Sequence, residues 1–280
     1  MNTNMYEHPA TQENVAKLKE RGIEIIEPEV GDLACGWNGT GRLAEVYEIS
    51  YRILRALNTQ DLKGKKVVIT AGPTREMIDP VRFISNCSSG KMGVAVAVEA
   101  FLRGADVEVI HGPIDIKVPA LLKCKKVMTA AEMHEAALEA VYNKEAPADI
   151  VVMAAAVADA RVKKQSDKKI KKSDKWDSIE LTNNPDILAD LGSKRKNEKH
   201  PFLVGFAVET GDAEELIETV KKKIAAKKVN IIVGNLAEEA FDKDTNHVWI
   251  IDSFGRFEEV STTYKSRVAR KIFDYVAKKI

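Results

Sequence analysis

The sequence predicts an α/β protein with a Rossmann-like, mostly parallel sheet covered by helices on both faces, preceded by a small N-terminal α/β fragment. Runs of valine and isoleucine alternate with helical stretches along most of the 280 residues. That alternation is typical of buried parallel strands joined by crossover helices. A polar stretch, "NTQDLKG" at 58–64, separates a helix from the first such strand. We therefore divide the chain into residues 1–60 and residues 61–280.

The composition is that of a globular protein without a strong overall charge. Hydrophobic residues make up 45% of the chain, and 43 basic residues almost balance 42 acidic ones. A net charge of +1 gives no general attraction to nucleic acids or membranes. We see neither a signal peptide nor an apolar stretch of spanning length, and we expect a cytoplasmic protein that binds no membrane. Cys35, Cys87 and Cys124 are too widely spaced to indicate a disulfide framework or a zinc site.

Residues 1–60 contain few elements. The pattern predicts a helix from about Pro9 to Arg21, a short strand in "IEIIEP" (23–28), a glycine-rich loop in "ACGWNGTGR" (34–42) and a helix in "AEVYEISYRILRAL" (44–57). Five apolar residues share one face of that second helix: Val46, Ile49, Ile53, Leu54 and Leu57. A fragment of this size is marginal by itself and has too few elements to enclose a cofactor.

Residues 61–280 alternate between strands and helices. We predict strands in "VVITAG", "DVEVIHG", "ADIVVMAAAVAD", "FLVGFAVE", "VNIIVGN", "HVWIID" and "FEEVST". We predict helices after "SSGKMG", after the capping box formed by Thr129 and Glu132, in "NNPDILADLG", in "DAEELIETVKKKIAAKK" and at the C-terminus. Ligands of such sheets bind at the carboxyl ends of the strands, where the strand order reverses.

The segment "SNCSSGKMG" joins a predicted strand region to a helix, and it fits neither common phosphate loop. A Walker A loop needs a hydroxyl residue after its lysine, but Met92 follows Lys91. A dinucleotide fingerprint needs three glycines and a later acid, and the loop has Gly90 and Gly93 alone. Ser88, Ser89 and Gly90 instead place hydroxyl and backbone donors at a helix N-terminus, which favours an anion. An ordinary strand-to-helix turn with a capping serine is the alternative.

A second feature is a basic run, "ADARVKKQSDKKIKKSDK" at 158–175, which carries Arg161 and seven lysines. A run of this kind is usually a solvated loop, and it also fits a nucleic-acid patch. Because it directly follows a predicted strand, we expect a flap over the carboxyl edge of the sheet, near the Ser-Ser-Gly turn. Two anion-binding features at one edge suggest a polyphosphate ligand.

Several motifs in order carry a family resemblance. The run "ITAGPTREMIDPVRFISNCSSGKMG", with "AAAVAD", "KKIKK", "NNPDIL" and "VGFAVET", resembles the phosphopantothenoylcysteine synthetase (phosphopantothenate–cysteine ligase) half of the bifunctional coenzyme A biosynthesis flavoprotein. This resemblance covers about Lys65 to the C-terminus. Upstream, "MNTNMYEHPAT" and "ACGWNGTGR" resemble the last segments of the partner phosphopantothenoylcysteine decarboxylase, with Asn2 and Cys35 at the matching positions. Tyr6 stands where that family has tryptophan, and its flavin-binding core and catalytic histidine have no counterpart in the sequence.

The resemblance implies that residues 61–280 are a ligase domain that couples 4′-phosphopantothenate to L-cysteine. It implies CTP as the nucleotide, Mg²⁺ bound with it, and an acyl-cytidylate intermediate whose formation releases pyrophosphate before CMP leaves. It also implies a homodimer with a site completed near the interface. Residues 1–60 are then the C-terminal remnant of the FMN-dependent decarboxylase domain, which we expect not to bind flavin alone. A separate flavoprotein decarboxylase subunit is one possible partner.

The resemblance also assigns roles to individual residues. Lys169 matches the catalytic lysine of cytidylate formation, Asn86 matches the asparagine that handles the acyl-cytidylate, and Arg82 joins Asn86 in binding substrate. Cys35 matches the decarboxylase proton donor and is expected to be idle here. The nucleotide contacts carry over onto Ser88, Ser89, Gly90, Met153, Ala154, Ala155, Asp159, Lys169, Pro185, Asp186, Ile187, Leu188, Phe206, Lys223 and Lys227.

Other readings stay open beside the ligase. A nucleotide- or nucleic-acid-binding module rests on the lysine-rich run alone, without an RNA- or DNA-binding motif. A dehydrogenase is disfavoured because the one Tyr-x-x-x-Lys match, Tyr275 to Lys279, lies in the last helix. The histidines are scattered and are expected to be structural: His8, His111, His134, His200 and His247.

Overall fold

The computed structural model describes residues 1–171, 178–195, 197, 200–236 and 243–280. They form two compact units, Met1–Asn58 and Thr59–Ile280. The N-terminal unit contains the helices α1 (Thr3–Tyr6), α2 (Pro9–Glu20) and α3 (Val46–Leu57), and the strands β1 (Glu29–Asp32) and β2 (Asn38–Arg42), which pair antiparallel.

Two predictions for the N-terminal unit were wrong. Residues 23–28 are not a strand; the hydrogen-bonded ladder begins at Glu29, opposite Arg42, so "IEIIEP" pairs with no described strand. The glycine-rich segment is not a loop throughout, because its second half is β2. The apolar face of α3 is largely solvent-exposed within the structure, with Val46 and Leu57 72% and 80% exposed.

The C-terminal unit holds the remaining elements. Its strands are β3 (Lys66–Ala71), β4 (Arg75–Met77), β5 (Phe83–Ser85), β6 (Asp106–His111), β7 (Lys123–Lys126), β8 (Ile150–Met153), β9 (Ala160–Val162), β10 (Leu181–Asn183), β11 (Phe202–Glu209), β12 (Ile231–Leu236), β13 (Thr245–Asp252) and β14 (Phe257–Tyr264). Its helices among the described residues are α4 (Lys91–Leu102), α5 (Ala130–Val141), α6 (Ile187–Lys194), α7 (Ala213–Lys227) and α8 (Lys265–Ala277).

Eight strands form the central sheet in the order β14-β13-β12-β11-β8-β3-β6-β7. The pairs from β12 to β7 are parallel, and β13 and β14 extend the sheet antiparallel. The order reverses between β3 and β8, since the chain runs first from β3 to β6 and later returns to β8 on the other side. The predicted α/β class is confirmed.

Helices cover both faces of the sheet, as predicted. Val67 and Ile69 of β3 pack into one apolar core with α4 and α8, whereas Val68 between them packs into a second core with α5, α6 and α7. This alternation is the two-residue period of a strand that is buried on both sides. The Thr129 and Glu132 capping box at the start of α5 is confirmed.

Several short strands were not predicted. β4 pairs with β5 and β9 pairs with β10 in two small antiparallel ribbons, each with three residues per strand. The predicted lysine flap therefore begins as a paired strand. The strand predicted over "ADIVVMAAAVAD" is shorter than predicted. It ends at Met153, which pairs with Gly205 of β11. In the described part of the chain, no helix combines the length and apolar character needed to cross a membrane.

Candidate functional site

A cavity of about 670 Å³ lies within the C-terminal unit at the carboxyl ends of β8, β11 and β12. It therefore occupies the edge at which open parallel sheets bind ligands. Most of the predicted site residues line it: Asn86, Ser88, Ser89, Gly90, Met153, Ala154, Ala155, Asp159, Pro185, Asp186, Ile187, Leu188, Phe206, Lys223 and Lys227. Residues distant in sequence thus meet in one place.

The Ser-Ser-Gly turn forms the N-terminus of α4 on one wall of the cavity. Gly90 is the N-cap with φ +76°, a left-handed conformation that glycine adopts without strain. A Cβ at Gly90 would lie 2.6 Å from Ile114 Cγ2, and one at Gly93 would lie 2.6 Å from Ala71 Cβ. Gly93 thus lets α4 approach β3 closely, and Gly90 lets the N-terminus of α4 pack against the loop that follows β6. The unpaired N–H groups of the first turn of α4 lie at the cavity.

The segment that follows β8 forms the floor, and side chains from neighbouring segments fix its backbone. The Ala155 N–H donates to Thr70 Oγ1 at 3.2 Å, and the Ala158 N–H donates to Thr74 Oγ1 at 3.0 Å. Asn86 Nδ2 donates to the Val157 carbonyl at 2.9 Å. Backbone groups held in this way can present a fixed hydrogen-bonding pattern to a ligand without reorganising.

Helices α6 and α7 form a further wall that carries charge. Lys227 pairs with Asp186 at 2.8 Å, and Lys223 forms an ion pair with Glu209. Asp186 is also the N-cap of α6 and accepts the Ala189 N–H at 3.0 Å. Burial acts to raise the pKa of Asp186, but the hydrogen bonds from Lys227 and the backbone outweigh it and lower that pKa. The two lysines are four residues apart and lie on one helix face.

Sequence reasoning missed a further set of polar residues that line the cavity: Lys91, Asn235, Asn246 and Lys265. Lys91 forms an ion pair with Asp244 at 2.7 Å, and this hydrogen bond lowers the pKa of Asp244. The sequence did contain a signal for Asn235, because this polar residue closes the apolar run of the predicted strand "VNIIVGN" at its carboxyl end.

Lys169 and Arg82 are not among the residues that line the cavity. Arg82 belongs to a cluster around Asp79, whose side chain is fully buried, and Lys169 directly precedes Ile170 of that cluster. Asp79 Oδ2 accepts the Ile170 N–H at 3.2 Å and a bond from Arg82 Nη1 at 3.1 Å, and Arg82 Nη1 also donates to the Ile170 carbonyl at 3.3 Å. Lys169 is exposed beside this anchored residue. Of the predicted flap, residues 172–175 lie outside the described part of the chain.

In the N-terminal unit, Asn2 and Cys35 lie together, as the resemblance implies. Asn2 Nδ2 donates to Cys35 Sγ at 3.4 Å. Hydrogen bonds from the Trp37 backbone and from Asn2 lower the pKa of the exposed Cys35 thiol. A flavin ring needs a largely apolar, enclosed pocket, whereas Gly41 and Ala44 are the unit's only buried residues. The residues of this unit alone do not build an FMN site.

The histidines make local contacts. His134 Nε2 lies 2.8 Å from Asp190 Oδ2 and His247 Nε2 lies 2.8 Å from Glu259 Oε1, while the buried His111 ring contacts the Gly112 carbonyl. Within the described ranges, no group of three or more His, Cys, Asp or Glu side chains is arranged to hold a metal ion.

Comparison with known proteins follows the same division of the chain. A family model described as the DNA/pantothenate metabolism flavoprotein C-terminal domain matches residues 62–280, and a flavoprotein family model matches residues 1–58. The C-terminal match covers the whole cavity.

Curated proteins match almost the full chain. The coenzyme A biosynthesis bifunctional protein CoaBC of Bacillus subtilis is 42% identical over 99% of this chain and 68% of its own length. A cysteine/cysteine sulfinic acid decarboxylase from an unknown prokaryotic organism is 40% identical over 97% of this chain and 76% of its own length. A crystal structure of the C-terminal domain of a CoaBC protein is 38% identical, with a TM-score of 0.65, over 79% of this chain and 97% of that domain. These matches confirm the resemblance carried by the motifs.

Proposed function

The chain belongs to the family of DNA/pantothenate metabolism flavoproteins, and from that premise we propose that its C-terminal unit is a ligase of coenzyme A biosynthesis that joins 4′-phosphopantothenate to L-cysteine with CTP. The observation that carries the proposal is the cavity at the carboxyl edge of the sheet, where fifteen of the residues implied by the resemblance lie together.

The charge of the cavity suits a nucleoside triphosphate. Its described lining includes the four lysines Lys91, Lys223, Lys227 and Lys265 and the two acids Asp159 and Asp186, while Asp244 and Glu209 pair with Lys91 and Lys223. The N-terminus of α4 adds a partial positive charge. A triphosphate has several negative charges and many acceptor oxygens, which such a site can satisfy. We propose that Mg²⁺ enters bound to the triphosphate and neutralises part of its charge, as in other nucleotidyl and phosphoryl transfers.

The first half-reaction forms the acyl-cytidylate. A carboxylate oxygen of phosphopantothenate attacks the α-phosphorus of CTP, the bond from that phosphorus to the bridging oxygen breaks, and pyrophosphate leaves with the bond electrons. Negative charge accumulates around the α-phosphate, so a mobile cation there accelerates the step. We assign this role to Lys169. Its neighbour Ile170 is anchored to Asp79, which gives the loop a fixed base from which the exposed lysine side chain can reach the nucleotide.

The second half-reaction transfers the acyl group to cysteine. The cysteine nitrogen attacks the acyl carbon, the bond to the phosphate oxygen breaks, CMP leaves and the amine loses a proton. Asn86 is suited to orient the acyl group, because its Nδ2 already donates to the Val157 carbonyl in the floor of the cavity. A side-chain amide fixed in this way can hold the acyl oxygen during attack. We place Arg82 with Asn86 in substrate binding, and we expect the active form to be a homodimer.

The proposal is tested by product analysis. The chain is incubated with CTP, Mg²⁺, phosphopantothenate and cysteine, and phosphopantothenoylcysteine and CMP are measured by mass spectrometry. Lys169→Gln should lose turnover, whereas Lys163→Gln, which removes an exposed lysine paired with Glu180 from the same region, should retain it. Wild-type chain that forms no product, or equal turnover by both variants, contradicts the assignment.

A further inference from the structure

One end of the cavity carries three buried polar side chains that no role in the proposed chemistry yet uses. Asn235 lies near the end of β12, Asn246 near the start of β13, and Lys265 is the first residue of α8. They are 3%, 4% and 7% exposed, and all three line the cavity. Three separate elements thus direct polar groups to one place.

Asn235 is the informative member of the cluster. Its side chain makes no hydrogen bond to any residue in the described ranges, although the residue is 97% buried. Its amide atoms are not sealed from solvent, because Thr3 Oγ1 is the one fully buried side-chain atom without a partner among the described residues, and Asn235 instead opens onto the cavity. Since the side chain faces the cavity, a bound molecule can satisfy it. The fold therefore holds a polar group without a protein partner at the cavity surface, where a ligand can contact it.

The other groups at this end are mainly donors. Asn246 Oδ1 accepts the His247 N–H at 3.1 Å, which leaves its Nδ2 as the donor of that side chain. Lys265 Nζ donates to the Lys243 carbonyl, which fixes an ammonium group in the wall. Lys91, at the first position of α4, is held by Asp244, two residues before Asn246. The start of α4 therefore faces the same end of the cavity.

Amide donors, a helix N-terminus and two ammonium groups, one of them paired with Asp244, together favour a negatively charged ligand with many acceptor oxygens. A carboxylate has two oxygens and a single charge. A diphosphate group has at least five terminal oxygens, and its oxygens can contact all of these donors at once.

We propose that Asn235, Asn246 and Lys265 form a diphosphate-binding subsite that holds the two outer phosphates of the nucleotide and the pyrophosphate that they become. The inference rests on the proposed function for the identity of the nucleotide, but not for the diphosphate chemistry. The subsite orients the leaving group away from the carboxylate that attacks, so that the α-phosphorus lies between them.

Inorganic pyrophosphate is the direct probe, because it lacks both the base and the α-phosphate. Isothermal titration of the full chain with magnesium pyrophosphate should give binding that Asn235→Ala and Lys265→Met each weaken at least tenfold. Lys271→Met removes a lysine from the exposed face of the same helix and should change the affinity less than twofold. CMP, which lacks the outer phosphates, should bind wild type and Asn235→Ala equally.

The melting temperature separates binding from structure. Because the Asn235 side chain has no described partner to lose, Asn235→Ala should melt at the wild-type temperature without ligand. If Asn235→Ala lowers that temperature and leaves pyrophosphate affinity unchanged, the residue is structural and the inference is wrong. Asn235→Asp, which keeps the size and adds a repelling charge, should also weaken pyrophosphate binding; unchanged binding by this variant would equally overturn the inference.

The remaining outcomes distinguish this inference from the proposed function. Pyrophosphate binding that depends on Asn235, in a chain that makes no phosphopantothenoylcysteine, upholds the subsite and refutes the ligase. Normal ligase turnover in Asn235→Ala with unaltered pyrophosphate affinity upholds the ligase and refutes the subsite. If Asn235→Ala loses affinity for phosphopantothenate but keeps its affinity for pyrophosphate, the phosphate monoester of phosphopantothenate binds here instead. That result would also refute the diphosphate subsite.

Discussion

Replacement of Gly90 by alanine tests how closely the N-terminus of α4 must pack against the loop after β6 to form the anion site. Alanine in the left-handed conformation costs about 1–2 kcal/mol. The new Cβ would also lie 2.6 Å from Ile114 Cγ2, about 1 Å inside normal carbon–carbon contact. Overpacking of this kind costs about 1–3 kcal/mol. We therefore expect Gly90→Ala to lower the free energy of unfolding by about 2–5 kcal/mol.

Gly64 provides a matched control within the same unit. It has φ +79°, and a Cβ there would meet nothing within 4 Å, so Gly64→Ala isolates the backbone strain of about 1–2 kcal/mol. Urea unfolding measures the stability of both variants. Titration with CTP should show that Gly90→Ala alone binds CTP at least tenfold more weakly, a loss of about 1.4 kcal/mol in binding free energy. Equal destabilisation of the two variants would refute the close packing, and wild-type CTP affinity in Gly90→Ala would refute the anion site at α4.

Three further predictions address specificity, pH and the N-terminal unit. CTP should have a higher kcat/KM than ATP, because backbone groups in the floor discriminate bases by hydrogen bonding; steady-state assays with equal values for both nucleotides would contradict a cytosine pocket. Burial and the hydrogen bond to Asp252 raise the pKa of Tyr275 from 10.0 to about 12, so the folded state holds this proton more tightly. The resulting stability is complete below pH 10 and is lost as pH rises towards 12. Tyr275→Phe should therefore lose less free energy of unfolding than wild type over that pH range, as measured by urea unfolding. If both proteins show the same dependence of this free energy on pH, Tyr275 does not contribute. The purified chain should be colourless and lack decarboxylase activity although Asn2 and Cys35 are in contact; a stoichiometric flavin absorbance band would contradict this.

The fold class could be predicted from the sequence because the central strands are apolar on both faces. β3, β8 and β12 are almost entirely buried, and their valine and isoleucine runs are unambiguous. β7 was missed because it lies at the sheet edge with four exposed residues, "KCKK", so no hydrophobic pattern marks it. The three-residue strands β4, β5, β9 and β10 are set by tertiary contacts and are too short for any periodicity.

The sequence likewise predicts some residues of the candidate site and not others. Gly90 and the serines before it are marked by local pattern, and the positions of Lys223 and Lys227 followed from the family resemblance. Asn235, Asn246 and Lys265 come from three elements whose spatial meeting depends on the strand order, which no local pattern contains. The anchoring of Ile170 by Asp79 was equally hidden, because it joins residues 91 positions apart.

The most direct test of the central claim is a single-turnover experiment without cysteine. Excess chain is mixed with CTP, Mg²⁺ and phosphopantothenate, quenched on the millisecond scale and analysed by mass spectrometry. Wild type should accumulate phosphopantothenoyl-cytidylate with one pyrophosphate for each acyl-cytidylate. Asn86→Asp should still make both and should retain the intermediate when cysteine is added, whereas Lys169→Gln should make neither. Release of inorganic phosphate in place of pyrophosphate, or acyl-cytidylate formation by Lys169→Gln at the wild-type rate, would contradict the account.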